Sequence, residues 1–228
     1  MNIVTALFVL LPFFLMIYVD KSRFEKSTYK QETNYSYFKV RFNTGLYGEY
    51  LIVRLLDNLK DFSRVLVNVY LPNGKGGTTE LDVVLIHKSG VYSLESKNYS
   101  GWIFGKETDY KWCQIMPGGK KIFFYNPIKQ NRTHIKALQR VLPTFHESIF
   151  KSTIVFSERC ELKKIKIQSP DIKVIKRSKL LHSINSNQQQ VLSASQINSI
   201  YTSLKGNTQV TSQTKQNHID HIKKKYKS

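Results

Sequence analysis

The stretch Glu80–Lys97, ELDVVLIHKSGVYSLESK, decides the fold. Two apolar runs rich in β-branched residues, Glu80–His87 and Val91–Lys97, flank Lys88-Ser89-Gly90, a tight-turn triplet. They read as two antiparallel strands of a hairpin. Side chains alternate faces along a strand, so Val91, Ser93, Glu95 and Lys97 share one side, with Glu95 and Lys97 roughly 6–7 Å apart by the strand rise. Asp82 interrupts the run Leu81–Ile86, where an unpaired charge is expensive to bury. It has a reason to be there if it binds a cation or faces a cleft. The hairpin makes an Asp82–Glu95 pairing geometrically feasible. Two adjacent carboxylates repel, and a divalent cation relieves that repulsion.

Working outward, Arg64–Leu71 (RVLVNVYL) reads as a strand separated from the hairpin by PNGKGG. Upstream, Leu51, Leu55, Leu56 and Leu59 recur at helical spacing, predicting a helix over Tyr47–Leu59 behind Gly45 and Gly48. Downstream, Gly101–Ile122 reads as an extra hairpin or loop carrying Trp102 and Trp112. A helix fits Pro127–Leu142, with Pro127 in its first turn. Lys151–Ser157 reads as a buried strand and Ile172–Ile175 as another. Helix, three strands, helix and strand make an α/β chain: a mixed sheet with helices on both faces, over residues 41–182. Residues 21–40 read as a juxtamembrane linker. From 183 to 228 the composition turns polar and basic, a tail with a helix expected over Ala194–Leu204 and disorder from Gly206 to the lysines at 223–225.

Ile3–Val19 carries no charge. At about 1.5 Å per residue it spans about 25 Å, enough for a thin bilayer. Pro12 is tolerable in a helix within lipid, and Tyr18 suits the interface. A cleaved signal peptide needs a basic segment before the apolar run and small residues after it. Here the run starts near Met1 and is followed by Asp20-Lys21-Ser22-Arg23, so an uncleaved anchor, residues 1–20, is expected. Lys21, Arg23, Lys26 and Lys30 on its C-terminal flank place the N-terminus outside and the rest in the cytoplasm of a single-pass membrane protein.

The chain has 228 residues, 41% of them hydrophobic, with 13 Tyr and 13 Phe, enough for one domain plus tails. Its 35 Lys and Arg against 16 Asp and Glu give a net charge of +19. That excess favours polyanions, either nucleic acid or anionic lipid. Cys113 and Cys160 lack metal-site or disulfide-framework spacing. Lys163, Lys164, Lys166, Lys173, Lys176, Arg177 and Lys179 suit contacts to phosphates or to an anionic membrane surface.

Four blocks in order, Gly45-Leu-Tyr-Gly-Glu49, Thr79–Ile86, Gly90–Gly101 and Asn126-Pro-Ile-Lys-Gln130-Asn131, resemble the nuclease-related domain family. The resemblance covers roughly Arg41–Ser157, and the D-x12-E-x-K spacing of Asp82, Glu95 and Lys97 is similar to the PD-(D/E)xK nuclease pattern. It implies a restriction-endonuclease-like core with a Mg²⁺ or Mn²⁺ site. By position, Asp82 and Glu95 are implied metal ligands, helped by the Ser96 carbonyl. Lys97 is implied to help deprotonate the attacking water and to stabilise transition-state charge. Glu49 is implied as a further metal or water ligand, and Gln130 as a group that orients substrate or water. The expected function is phosphodiester hydrolysis of nucleic acid, DNA before RNA. A non-catalytic nucleic-acid-binding or membrane-tethering module that keeps the fold is the alternative. Tyr99, Trp102 and Trp112 fit base stacking and core packing equally well.

Overall fold

The computed structural model describes residues 3–187, 189–208 and 216, with side chains from residue 11 onward. The expected hairpin forms: β2 (Thr78–His87) pairs antiparallel with β3 (Gly90–Lys97), and β1 (Ser63–Pro72) pairs antiparallel with β2. Parallel strands β7 (Phe150–Phe156) and β9 (Ile172–Lys176) extend the sheet, giving the order β1-β2-β3-β7-β9. The crossover from β3 to β7 carries α5 (Pro127–Val141). Helix α4 (Thr44–Leu56) covers the opposite face. Apolar residues on both faces of the central strands explain this three-layer arrangement, since each face must be covered.

A second sheet was not expected. Gly101–Lys106, Lys111–Ile115, Lys121–Tyr125 and Cys160–Lys166 form β4, β5, β6 and β8, in the order β6-β5-β4-β8. The supposed hairpin or loop thus supplies β4, β5 and the start of β6 to a four-stranded mixed sheet, in which β4 and β8 run parallel. Trp112 is fully buried, stacks on Phe156 with centroids 6.2 Å apart, and donates through Nε1 to the Lys106 carbonyl at 2.9 Å. Tyr99 packs edge-on against Phe124 at 4.8 Å. Packing, not base stacking, accounts for both. Lys163, Lys164 and Lys166 lie on β8, and Lys173 and Lys176 on β9. These are edge strands of the two sheets, where lysines oppose further pairing.

Residues 21–40 are not a linker. Helix α1 (Ile3–Glu25) runs past the apolar segment, and α2 (Thr28–Thr33) and α3 (Tyr37–Phe42) follow, capped by the Ser27 and Ser36 side chains. Phe24 and Tyr29 are fully buried, and Tyr37 and Val40 nearly so, in the core beneath α4. Buried aromatics with edge-on partners at 5–7 Å give short helices a reason to order that their sequence alone lacks. Among the described residues no helix is long and apolar enough to cross a membrane; the expected span of 3–19 falls partly on side chains outside the description. At the other end, α6 (Leu180–Asn185) and α7 (Ala194–Lys205) are packed elements and not tail. Ser193 and Gln196 form a capping box for α7, whose Ile197, Ile200 and Leu204 are buried in the α5-side core. The lysine run at 223–225 lies outside the described residues.

Candidate active site

The site is built where β2 and β3 part. The β2–β3 ladder ends at Val83–Leu94, and beyond it Asp82 Oδ2 accepts the Ser96 backbone N–H at 2.8 Å. A switch in strand phase puts Asp82 there. Val67 and Val83 face the α4-side core, whereas Val69 and Leu81 face the α5-side core. Two residues apart on a regular strand would share a face. Between them Asn68 takes a left-handed φ of 54°, opposite Asp82, and turns the ribbon. Asp82 therefore leaves the strand at the twist, near acids on both faces.

The alternation expected on β3 holds. Ser93, Glu95 and Lys97 all meet α5. Lys97 Nζ lies 2.6 Å from Glu95 Oε1 and 3.2 Å from Gln130 Oε1. Glu95 is 1% exposed, and its Oε2 is buried without a hydrogen bond, with His134 Nδ1 3.4 Å away. Glu49 approaches from α4 and accepts the Tyr29 hydroxyl at 3.0 Å. Gly48 is what lets α4 come so close: a Cβ there would stand 2.7 Å from Asn98 Cβ and 2.9 Å from Ser96 Oγ.

The Asn126–Asn131 block works mainly as structure. Asn126 caps α5 through the Ile128 N–H, and its Nδ2 clamps the Lys106, Glu107 and Asp109 carbonyls. Asn131 accepts Ser93 Oγ–H at 2.6 Å and donates at 2.9 Å to the Ser93 carbonyl and to Ser152 Oγ. These bonds fix α5 against β3 and β7, and with it the side of the helix bearing Gln130 and His134.

The electrostatics are those of a desolvated cluster of acids with one lysine ammonium. Burial, then repulsion from Glu95 and Glu49, pushes the Asp82 carboxyl well above the usual carboxylate range. Burial raises Glu49 to about 7, with Glu80 and Glu95 adding to it and the Tyr29 hydrogen bond opposing. Burial works against the Lys97 charge, but the Glu95 carboxylate outweighs it and the ammonium is held well above its ordinary value. Among the described residues no group of three or more His, Cys, Asp and Glu stands ready to enclose a metal ion. What is present is the pair Asp82 and Glu95, with Glu49 as a third acid across the sheet.

Asp82 thus lies within electrostatic reach of Glu95, Lys97 and Glu49, and Gln130 joins them through Lys97. The sequence reading missed His134 and Tyr29. His134 lies one helical turn beyond Gln130, so the spacing on the expected helix was signal enough. Tyr29 sits in the supposed linker and reaches Glu49 only through the tertiary fold.

Residues 44–157 match the family described as nuclease-related domain. The chain belongs to the nuclease-related domain family. An uncharacterized protein of Bacillus anthracis is 31% identical over 183 residues, covering 80% of this chain and 85% of that relative. No solved structure matches. The family stretch begins at α4 and ends one residue after β7, so it contains every candidate site residue named from the sequence and His134. It leaves out Tyr29 and the helices that bury it.

Proposed function

We propose that this nuclease-related domain protein is a metal-dependent phosphodiesterase acting on nucleic acid, DNA before RNA, within a restriction-endonuclease-like core. The buried Glu95 carries the reading: its Oε2 has no hydrogen bond, with His134 Nδ1 3.4 Å away, and two further acids lie near it, a crowding that a cation would relieve. The donor set fits Mg²⁺ or Mn²⁺, which take oxygen ligands and few protein carboxylates. Asp82, Glu95 and the Ser96 carbonyl would hold the ion, with Glu49 as a further metal or water ligand. When bound, the ion supplies Lewis-acid stabilisation of phosphoryl-oxygen charge.

Lys97 keeps its proton here, so its fitting role is to donate to and neutralise charge growing on the phosphate. Accepting a proton from water would first require Glu95's pull on the ammonium to be cancelled. Gln130 Oε1 orients the Lys97 ammonium, and its amide nitrogen would orient substrate or water. One observation favours the second reading, a non-catalytic module: Lys97 already neutralises one Glu95 oxygen at 2.6 Å, and the acids do not enclose an ion as they stand.

The anchoring of this domain to a membrane through residues 3–19, with the domain in the cytoplasm, is part of the same proposal. What supports it is α1, whose Leu11, Phe13, Phe14, Leu15, Met16 and Tyr18 are all more than half exposed. A helix exposing apolar side chains this way needs a covering such as lipid.

The test is cleavage of single- and double-stranded DNA and RNA by the full chain in detergent, with Mg²⁺, Mn²⁺ or chelator. A fragment starting near Lys30 is unsuitable, because Phe24 and Tyr29 belong to the core. Metal-dependent cleavage that Asp82→Ala abolishes and Lys97→Ala lowers about 10²–10³-fold is expected. Salt-sensitive binding without cleavage under either metal, undisturbed by Lys97→Ala, would replace hydrolysis with the non-catalytic module.

A further inference from the structure

Four guanidinium groups meet in one place away from the acids. Arg41, Arg54, Arg159 and Arg177 line a cavity of about 450 Å³, together with Tyr47 and Asn98. Of the four, among the described residues, Arg54 alone has a carboxylate ion-pair partner, Asp20 at 3.7 Å. Arg159 is pinned by the Asn98 carbonyl at 2.7 Å, and Arg41 lies over the Tyr47 ring at 4.9 Å. Burial works against the Arg177 charge, Glu158 opposes that, and Arg54 and Arg159 add repulsion, leaving the guanidinium below its ordinary value. Four like charges around an open volume call for an anion with several oxygens.

Asn98, Ser157 and Arg177 of this cavity also line a narrow crevice that reaches Ser96 and Lys97, while none of the candidate acids lines either. On α4, Thr44, Tyr47, Leu51 and Arg54 form one stripe, and Glu49 points roughly half a turn away from it. On its other side the cavity adjoins an apolar groove of about 660 Å³, lined by Phe13 and Met16 of α1 and by Phe38 and Phe42 of α3. Arg41 and Tyr47 line both. Phe38 and Phe42 stack on each other at 6.2 Å, and Phe42 is 82% exposed. An arginine cavity that shares a wall with exposed aromatics, beside the apolar helix of the proposed anchor, has the chemistry of one amphiphile.

We infer that the cavity of Arg41, Arg54, Arg159 and Arg177 binds the phosphate headgroup of an anionic phospholipid, whose acyl chains lie along the Phe38–Phe42 groove. This rests on the membrane-anchored part of the proposed function and not on cleavage. Bidentate guanidinium contacts hold the phosphate, and the aromatics of α3 sit at the acyl boundary. Bound lipid thereby fixes the orientation of the domain against the bilayer.

The test is native mass spectrometry of the full chain in a zwitterionic detergent, offered equal amounts of phosphatidylglycerol and phosphatidylcholine. Phosphatidylglycerol should be retained about tenfold more, a difference of about 1.4 kcal/mol. Arg41→Gln with Arg159→Gln, both at exposed positions, should bring the two lipids level. Phe38→Ser with Phe42→Ser should lower retention of both while leaving the preference. Equal retention by the natural chain, or a preference that survives the arginine changes, overturns the inference. So does displacement of phosphatidylglycerol by a 5′-phosphorylated oligonucleotide but not by its hydroxyl counterpart, which would give the cavity to nucleic acid. A chain that needs detergent for extraction yet shows no lipid preference sinks the headgroup site and leaves the anchor standing.

Discussion

Replacing Glu49 with Gln should stabilise the metal-free protein near neutral pH, although it removes a candidate active-site group. Glu49 is buried, and its carboxyl titrates at about 7 instead of the ordinary 4.5. The folded state therefore holds this proton more tightly than the unfolded chain. The associated stability is complete below about pH 4.5 and is lost as pH rises through about 7. At about 1.36 kcal/mol per tenfold change, keeping Glu49 ionised costs the folded state about 3 kcal/mol above that range. A Gln amide oxygen still accepts the Tyr29 hydroxyl, so the change removes the charge and keeps the hydrogen bond. In a protein of this size about 3 kcal/mol corresponds to a rise of about 6–12 °C in Tm. The assay is thermal unfolding of both proteins in chelator from about pH 5 to about pH 8. The natural chain should lose stability across the window and the variant should lose much less. Added Mg²⁺ should close the gap from below, by stabilising the natural chain more. A variant no more stable than the natural chain at about pH 8 in chelator would refute the desolvated acidic pocket.

Two further perturbations test how the pocket is held. Gly48→Ala places a methyl against Asn98, whose side chain is tied to the Thr44 carbonyl at 2.7 Å, and should cost about 1–3 kcal/mol by chemical denaturation. Because the strain pushes α4 and Glu49 off β3, any nuclease activity should fall further than the loss of folded protein explains. Glu107 accepts from Ser169 Oγ and from the Gln168 and Ser169 N–H groups, and Arg132 pairs with it; these hold its carboxyl down at about 2. That contribution is present above the ordinary value of 4.5 and fades as pH falls towards about 2, so Glu107→Gln should destabilise the protein at neutral pH and make its unfolding less acid-sensitive. Equal acid sensitivity of the two proteins would remove Glu107 as the tie between the second sheet and α5.

What was legible in the sequence follows from how far each signal reaches. The β2–β3 hairpin and α5 announced themselves because period-two apolar runs, a Gly turn and a Pro at the first helical turn are local facts. Strands β4, β5 and β6 are short and mixed in polarity, and β8 reads Cys-Glu-Leu-Lys-Lys-Ile-Lys, so charge masked a strand whose partner β4 lies more than fifty residues back. Helices α2 and α3 have six residues each, too few for a periodic signal, and they order only because Tyr29 and Tyr37 enter a distant core. Within the site the same division holds. Asp82, Glu95 and Lys97 were visible as oddities of their own strands. The phase switch at Asn68 that lets Asp82 reach both faces is a property of two strands together.

The site residues also divide by their effect on stability. Gly48, Asn126 and Asn131 make the fold fit: each relieves a clash or satisfies buried backbone. Glu49, Asp82 and Glu95 do the opposite: burying three acids beside one ammonium costs stability, and Glu49 and Asp82 hold their protons more tightly than exposed carboxyls do. Gln or Asn at those positions would keep the hydrogen bonds from Tyr29, Ser96 and Lys97 and remove the repulsion. A scaffold gains nothing from the acids, and a cation site requires them. The destabilising residues of this cluster, more than the stabilising ones, are therefore the physical support for the proposed cation site.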